Sequence, residues 1–377
     1  MGTISLKPLS SFKYFINNKR RSFSMALAIA VSVLMILTFQ IVFYAVTESG
    51  NLTFSGRMEH LTVVYPGDNG IVEQNVIDKV NRCSDVEKII PFLVATTDYY
   101  HFFGNQNIPV YTLKKGDMEY AISKLGLKLV EGRLPGKGKN EILLDKRTAK
   151  NKGKKLGDFV GREVDKSERM SGKHKIVGIL EGGCLIGFTQ ASAEGMDIKK
   201  GFLLFPKDGR LDSMNKLFKG IGSEGAQPMT KEDGVSMFKD DTEMMEFVYT
   251  IITAVIIFIM SFAAGNSSYA QYFSRRNEFA TLQSIGYSRA QVLLRAAREI
   301  TLLNAGGFLI GIVLTLIAAF LLKALIYDPN GYPFILMPID GLVKAIVIPV
   351  CTTLFSLIPA WWTLSKVNQL EAIEKYE

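Results

Sequence analysis

The chain has 377 residues, of which 48% are hydrophobic and 21% charged, and its formal net charge is +8. Its mean hydropathy of +0.17 is unusual for a soluble protein with so many charged residues. The three histidines and three cysteines lack the spacing of metal ligands, so the sequence excludes a protein built on a zinc or haem motif.

Four long apolar stretches dominate the sequence, at residues 24–46, 247–264, 300–322 and 342–364, and Lys344 is their only charged residue. An α-helix rises about 1.5 Å per residue, so about 20 residues cross the ~30 Å hydrocarbon core of a bilayer. Because backbone amides in lipid need internal partners, each stretch is predicted to be a helix. Four uncharged runs of this length argue against buried helices of a large soluble protein. The sequence therefore predicts an α-helical membrane protein with four transmembrane helices in a 1+3 arrangement.

Basic residues in the short loops predict the orientation of these helices. The arm before the first helix carries five basic residues and no acidic one, and the loop 265–299 is rich in arginine. Basic residues in short loops remain cytoplasmic, so both termini and this loop are predicted to be inside. The same rule explains much of the positive charge without a nucleic-acid partner. The predicted segments are a cytoplasmic amphipathic N-terminal arm (1–23), transmembrane helices (24–46, 247–264, 300–322, 342–364), an extracytoplasmic domain (47–246), a cytoplasmic loop (265–299), a short outer loop (323–341) and a cytoplasmic C-terminal tail (365–377).

The extracytoplasmic segment 47–246 is long enough to bury a core of its own. Short β-like runs alternate in it with helical apolar spacing at 72–82 and 118–125, which predicts a mixed α/β domain. Its ends, 47–58 and 235–246, are predicted to continue the membrane helices as a stalk.

Two features of this domain have open interpretations. Cys83 and Cys184 lie where a disulfide is chemically allowed, but the sequence does not decide whether they pair. A basic cluster is either a solvated surface or a contact for anionic head groups, wall polymer or an acidic ligand. Its members are Arg133, Lys137, Lys139, Lys146, Arg147, Lys150, Lys152, Lys154 and Lys155.

Catalytic motifs are absent from the sequence. Residues 132–139 come nearest to a phosphate-binding P-loop, but the glycine spacing is wrong and the following hydroxyl is missing. GxSxG and HExxH motifs do not occur, and the apolar stretches carry no paired carboxylates for proton coupling. We therefore predict no catalytic and no metal-binding residues. A transport function would require a separate source of energy on the cytoplasmic side.

The cytoplasmic loop is the segment where such a partner would dock. Phe279, Leu282 and Ile285 are spaced three residues apart on one helical face. Gly286 provides a break and Ser288 can cap a second helix. The loop is thus predicted to form two short helices around a turn, either as a docking element or as an amphipathic connector on the membrane surface.

Three parts of the sequence resemble the FtsX/MacB-like permeases of ABC systems. The first is the loop, where the family has a pattern like R-x-x-E-[IF]-x-x-x-x-[AS]-[IV]-G-[AY]-[ST]-x-x-x-[IV]. Arg275, Glu278, Phe279, Ser284, Ile285, Gly286, Tyr287, Ser288 and Val292 fall on it. The second is the C-terminal run from Pro359, although Gln369 stands where proline is usual. The third comprises 131–135, 140–144, 155–158 and 176–179, which are similar to the outer-domain core of MacB-type permeases.

The resemblance implies the permease subunit of an ABC transporter of the mechanotransmission type. Such a subunit is not an enzyme and binds no cofactor, because ATP and Mg belong to a separate cytoplasmic ATPase. The implied partners are two copies of that ATPase, a second copy of the permease or a related chain, membrane lipid, and an extracytoplasmic adaptor or hydrolase. The implied location is the bacterial cell membrane.

The resemblance leaves the cargo and the output of the system open. Export or extraction of a peptide, lipid-linked or hydrophobic substrate is one implied role, and no substrate-binding residue is assigned. The alternative is ATP-driven signalling, or control of an extracellular wall hydrolase or sensor. The residues expected to couple the permease to the ATPase are Arg275, Arg276, Glu278, Phe279, Leu282, Ile285, Gly286, Tyr287, Ser288 and Arg289.

Overall fold

The computed structural model describes residues 19–102, 104–192, 196–218 and 225–366. These residues form two compact units. The membrane unit contains the described residues up to 42, 245–322 and 335–366, and the outer unit contains Phe43–Met244 and Lys323–Phe334. Residues 1–18 of the predicted N-terminal arm and 367–377 of the predicted C-terminal tail lie outside the described residues.

Helices and strands follow one another along the described residues as follows. The α-helices are α1 (Lys19–Gly50), α2 (Gln74–Arg82), α3 (Lys115–Lys124), α4 (Lys146–Asn151), α5 (Leu211–Asn215), α6 (Lys231–Ser274), α7 (Arg276–Ser284), α8 (Arg289–Leu322), α9 (Asp328–Asn330) and α10 (Ile339–Lys366). The strands are β1 (Thr62–Tyr65), β2 (Val86–Pro91), β3 (Leu93–His101), β4 (Gly104–Leu113), β5 (Lys128–Gly132), β6 (Glu141–Asp145), β7 (Phe159–Val160), β8 (His174–Glu181), β9 (Gly187–Gln190), β10 (Phe202–Pro206) and β11 (Gln227–Met229). Turns of π-helix follow α1 at Asn51–Ser55 and α8 at Lys323–Tyr327.

Four helices are long and apolar enough to cross a membrane, within the residues that the structure describes. They cover Ser22–Ser55, Thr242–Ser274, Arg289–Asn330 and Ile339–Thr363. The first three extend beyond their predicted apolar stretches at both ends and the fourth begins three residues before its stretch, because polar residues at these ends continue the same helices. The chain is a membrane protein, and the predicted fold class is confirmed: four apolar helices accompany a mixed α/β domain.

Helix α8 packs against α1 through small residues at four-residue spacing. Gly307, Gly311, Thr315 and Ala319 are all buried on this face. A Cβ atom added at Gly311 would lie 2.7 Å from the Cβ of Val33. Small residues at such a spacing let two helix backbones approach closely, and dispersion contacts then hold the helices together in lipid.

Polar side chains also tie α8 to α10. The Asn304 amide nitrogen donates to the hydroxyl oxygens of Thr352, at 3.1 Å, and Thr353, at 2.7 Å. These bonds lie one turn after Pro349, which has no N–H to donate within α10. The contacts therefore fix the register of the two helices where α10 lacks a backbone hydrogen bond.

The outer unit contains two sheets that share one core. The four-stranded sheet has the order β11-β1-β10-β2 and is antiparallel throughout. Along β10, Phe202 and Leu204 pack in a cluster with residues of α2 and α5, and Leu203 and Phe205 pack in a cluster with residues of α3 and the larger sheet. Both faces of β10 are therefore covered, which explains its continuous apolar run.

The larger sheet has seven strands of mixed direction in the order β3-β4-β9-β6-β8-β5, with β7 paired to β8. Pairs β4–β9 and β6–β8 are parallel, and the others are antiparallel. Strand β6 leads directly into α4, where the Asp145 carboxylate accepts hydrogen bonds from the backbone amides of Arg147 and Thr148. Burial raises the pKa of Asp145 to about 6 despite these donors.

The structure bears on both open features of this domain. The cysteines are free, so Cys83 and Cys184 do not pair. Several members of the basic cluster have carboxylate partners on the same chain, which favours a structural role for those members. The pairs are Arg133–Glu141, Lys146–Glu181 and Lys152–Glu168.

Candidate functional site

The segment between α6 and α8 forms two helices around a tight turn. Helix α7 ends at Ser284, and Gly286 follows with φ of +103°, a backbone conformation that glycine adopts at little cost. The backbone N–H of Gln291 then bonds to the Ser288 hydroxyl at 3.3 Å, while the Gln291 side chain accepts from the Ser288 N–H at 2.9 Å. This reciprocal pair caps the start of α8.

Four charged side chains fasten α7 to α8. Arg275 bonds to Glu278 at 2.8 Å and to Glu299 at 2.8 Å. Arg295 completes the ring at 3.1 Å from each of the same two carboxylates. Glu299 is 3% exposed and each arginine is 9% exposed, so these three groups are largely removed from water, whereas Glu278 is 43% exposed.

The charged groups of this ring stabilise one another in their ionised forms. Burial would raise the pKa of Glu278, but Arg275 and Arg295 together hold it below its ordinary value. Burial would likewise lower the pKa of Arg275, but hydrogen bonds to the two carboxylates raise it instead. The pair therefore stays ionised at neutral pH. Glu299, unlike Glu278, is buried with both arginines, and removing one partner of such a buried ion pair typically costs ~3–5 kcal/mol, so these pairs hold α7 to α8.

Two of the three predicted anchor residues are buried among the helices of the membrane unit. Phe279 is 1% exposed and Leu282 is 8% exposed. They pack in a cluster that also contains Tyr272, Val292 and Ala360. Neighbouring helices of the same chain therefore fill the contacts of these two side chains, and their predicted part in ATPase coupling stays a prediction.

The opposite side of the segment is exposed. Ile285 is 71% exposed at the turn, beside Gly286. Arg276 lies over the ring of Phe273, 4.7 Å from its centroid, and remains exposed. The exposed members of the predicted set are Arg276, Glu278, Ile285, Gly286, Ser288 and Arg289, and Tyr287 is half-buried. Their contact with an ATPase stays a prediction.

Sequence reasoning missed Arg295 and Glu299 as members of this site. Two signals could have indicated them. The residues are four apart on one helix, which favours an ion pair, and Glu299 is a carboxylate next to the start of an apolar run. Charges at such positions need partners, and the paired helix supplies them.

A second group of contacts joins the segment 323–334 to the rest of the outer unit. The Tyr99 hydroxyl donates to the carbonyl of Gly331 at 3.0 Å, and the Asn151 amide donates to the carbonyl of Asn330 at 3.0 Å. The rings of Phe102 and Tyr332 lie 4.9 Å apart. The predicted short outer loop thus contains a segment that is folded into the outer unit.

Gly331 can pack closely in this group of contacts because glycine has no side chain. Its φ is +66°, and an added Cβ would lie 2.5 Å from the carbonyl oxygen of Arg147. Glycine is therefore required both by backbone conformation and by space.

Clusters that could hold a metal ion were absent from the described residues: none brings three or more His, Cys, Asp or Glu side chains together. The charged ring at α7 pairs two arginines with two glutamates and leaves no set of carboxylates for a cation. The arrangement suits mechanical attachment of α7 to α8.

Residues 250–368 match the model of the FtsX-like permease C-terminal family. Among solved structures, the extracellular domain of the noncanonic ABC-type transporter YknZ from Gram-positive bacteria is 15% identical, with a TM-score of 0.27, and the match covers 45% of this chain and 99% of that one. The periplasmic region of MacB from Actinobacillus actinomycetemcomitans is also 15% identical, with a TM-score of 0.28, covering 48% and 92%. No curated protein matches the chain.

The family match contains α7, its turn, the third and fourth membrane-crossing helices and most of the second. The C-terminal part of the chain is accordingly an FtsX-like permease domain, and the resemblance noted in its sequence is confirmed for residues 250–368.

Proposed function

We propose that the chain is the membrane subunit of a mechanotransmission ABC transporter, driven by a separate cytoplasmic ATPase. ATP and Mg bind to that ATPase, and this chain converts its closure into movement of the outer unit. The proposed output is export or extraction of a peptide, lipid-linked or hydrophobic substrate. The observation that carries the proposal is α7, a short helix locked to α8 with an exposed turn at its end.

A rigid α7 is suited to transmit force. The charged ring and the burial of Phe279 mean that a push on the turn moves α8 as well, because α7 has little freedom to tilt alone. The proposed docking surface is the exposed side of the segment, with Ile285 as its apolar anchor. A single apolar side chain seated in a partner pocket often contributes most of the local binding energy.

Charged and aromatic residues support a cytoplasmic position for this turn. Arg276 and Arg289 are exposed beside it, in keeping with the positive-inside rule. Trp362 and Tyr269, with ring centroids 5.9 Å apart, lie near this end of α10 and α6. Tyrosine and tryptophan are enriched at membrane interfaces, where they would mark the inner boundary.

Movement of the membrane helices would reach the outer unit through the covalent connections of the chain. The chain passes between the two units at 42–43 and 244–245, and it passes through the segment 323–334 between α8 and α10. Because that segment is hydrogen-bonded within the outer unit, movement of α8 and α10 relative to α1 would be passed on at a third point. We propose that the three connections together convert a shift of helices into a rearrangement outside.

The test compares an exposed residue with a buried one in the full-length chain. Ile285→Asp should leave the melting temperature unchanged, since its side chain makes little contact within the chain. It should weaken co-purification of the ATPase from host membranes at least tenfold and abolish stimulation of ATP turnover. Phe279→Ala should instead lower the melting temperature, because removing a buried phenylalanine side chain costs ~3–5 kcal/mol.

Ile71→Asp is the matched control, since Ile71 is 46% exposed in the outer unit and receives the same substitution. It should retain the ATPase and normal turnover. If Ile285→Asp also retains both, the turn is a connector and the proposed docking surface is refuted.

A further inference from the structure

A cavity of about 150 Å³ opens in the outer unit between the end of β3, the end of α4 and the loop 159–168. Tyr100 and Phe159 line its sides and are 37% and 39% exposed, so solvent reaches both rings. The volume equals roughly five water molecules at ~30 Å³ each and is about half of the ~300 Å³ at which drug-sized pockets begin. An occupant would have the size of an amino acid.

The buried part of the cavity lining is an ion pair whose two charges neutralise each other. Lys152 and Glu168 contact each other and are 4% and 5% exposed. The second Glu168 oxygen accepts from the Thr97 hydroxyl at 2.9 Å, and the Lys152 ammonium lies 5.6 Å from the centroid of the Tyr100 ring. This part of the lining is therefore neutral overall and offers no net charge to a ligand.

The rim carries one carboxylate and one ammonium that remain available. One oxygen of Asp165 accepts from the backbone N–H and the hydroxyl of Ser167, at 2.9 and 2.7 Å. These bonds lower the pKa of Asp165, so the group is charged at neutral pH. Its other oxygen accepts no hydrogen bond from the described residues. The Lys154 ammonium forms no ion pair within 4 Å among those residues, and its charge also helps to lower the pKa of Asp165.

We propose that this cavity binds a small zwitterion of amino-acid size. The ligand ammonium would bind the open oxygen of Asp165, and the rest of the ligand would pack beside the rings of Tyr100 and Phe159, each of which already faces a lysine ammonium. The ligand carboxylate would bind Lys154. A divalent cation fits less well, because the only open carboxylate oxygen stands among two lysines. A phosphate would be repelled by the two carboxylates in the lining.

This proposal is independent of ATPase coupling, and its test uses the full-length chain in nanodiscs. The probes are L-leucine and its two singly charged halves, isopentylamine and 4-methylpentanoate, followed by saturation-transfer NMR. Glycine and L-alanine extend the series to smaller side chains. The best amino acid should bind saturably and at least tenfold more tightly than either half, because only the zwitterion satisfies both rim charges.

Two variants test the two rim charges one at a time. Lys154→Met should remove the advantage of leucine over isopentylamine, and Asp165→Asn should remove its advantage over 4-methylpentanoate. Asparagine keeps the oxygen that bonds Ser167, so the loop should remain folded. Lys150→Met and Asp208→Asn are exposed controls that should change nothing. Absence of saturable binding by all three amino acids up to about 10 mM would overturn the proposal, as would binding that both rim variants leave unchanged.

Discussion

Gly331→Ala tests whether the segment 323–334 is fixed to the outer unit as its contacts indicate. A non-glycine residue in the left-handed region costs ~1–2 kcal/mol. The added Cβ would also lie 2.5 Å from the carbonyl oxygen of Arg147, whereas carbon–oxygen contacts are normally ~3.3–3.6 Å, so the segment must move by roughly 1 Å. That shift strains the hydrogen bond from Tyr99 to Gly331, a bond worth ~0.5–1.5 kcal/mol. The expected total is ~1.5–3.5 kcal/mol.

Gly209→Ala provides the matched control. Gly209 has a φ of +71°, close to that of Gly331, but an added Cβ there meets nothing within 4 Å. The assay is hydrogen exchange of the backbone amides of 323–334 in the full-length chain. Because Gly209→Ala places no strain on 323–334, the amides of this segment should exchange at least roughly tenfold faster in Gly331→Ala than in the control, since ~1.4 kcal/mol is a factor of ten. Equal exchange of this segment in the two variants would refute the idea that packing on Arg147 fixes it.

Three further predictions concern topology, helix packing and pH. Cysteine at Ser167 should react with an impermeant maleimide in whole cells and cysteine at Ser274 should not; labelling of Ser274 would refute the orientation. Gly311→Leu should lower the melting temperature sharply, whereas Gly306→Leu should be tolerated because a Cβ there has open space; equal melting would contradict close packing of α1 on α8. Because the pKa of Asp145 is raised to about 6 from ~4 in an unfolded chain, stability should fall as pH rises from about 4 to 6 and then level off. Asp145→Asn, which keeps the helix cap, should flatten that part of the melting profile, and an unchanged profile would exclude this carboxyl as its source.

The four membrane helices could be predicted because an uncharged run of about 20 residues has few other structures available to it. Strand β10 could be predicted for a similar reason, since both of its faces are buried and its sequence is continuously apolar. Edge strands gave no such signal. Strand β5 is exposed along its whole length and β3 is exposed at its start, so neither shows a clear apolar alternation. The order of strands depends on contacts distant in sequence, which no local pattern encodes.

In the candidate site, too, some features follow from neighbouring residues, whereas others depend on residues that are distant in sequence. The turn at Gly286 and the cap at Ser288 follow from residues within one or two turns of helix, and the sequence indicated both. The charged ring joins Arg275 to Glu299 across 24 positions, and only the pairing of α7 with α8 brings them together. Spacing within α7 showed that it has an apolar face but not what covers that face.

Phe279 and Leu282 show what covers the apolar face of a short amphipathic helix that lies beside membrane helices. Such a helix has one apolar face, and the helices of its own chain compete with any partner for it. Intramolecular packing is favoured because covalent connection raises the effective concentration of the neighbouring helices far above that of a separate protein. The apolar face of α7 is therefore covered by residues of α6, α8 and α10. Under the proposed function, a partner would meet the exposed turn at Ile285, which has arginines on either side, and substitutions there should leave α7 attached to its neighbours.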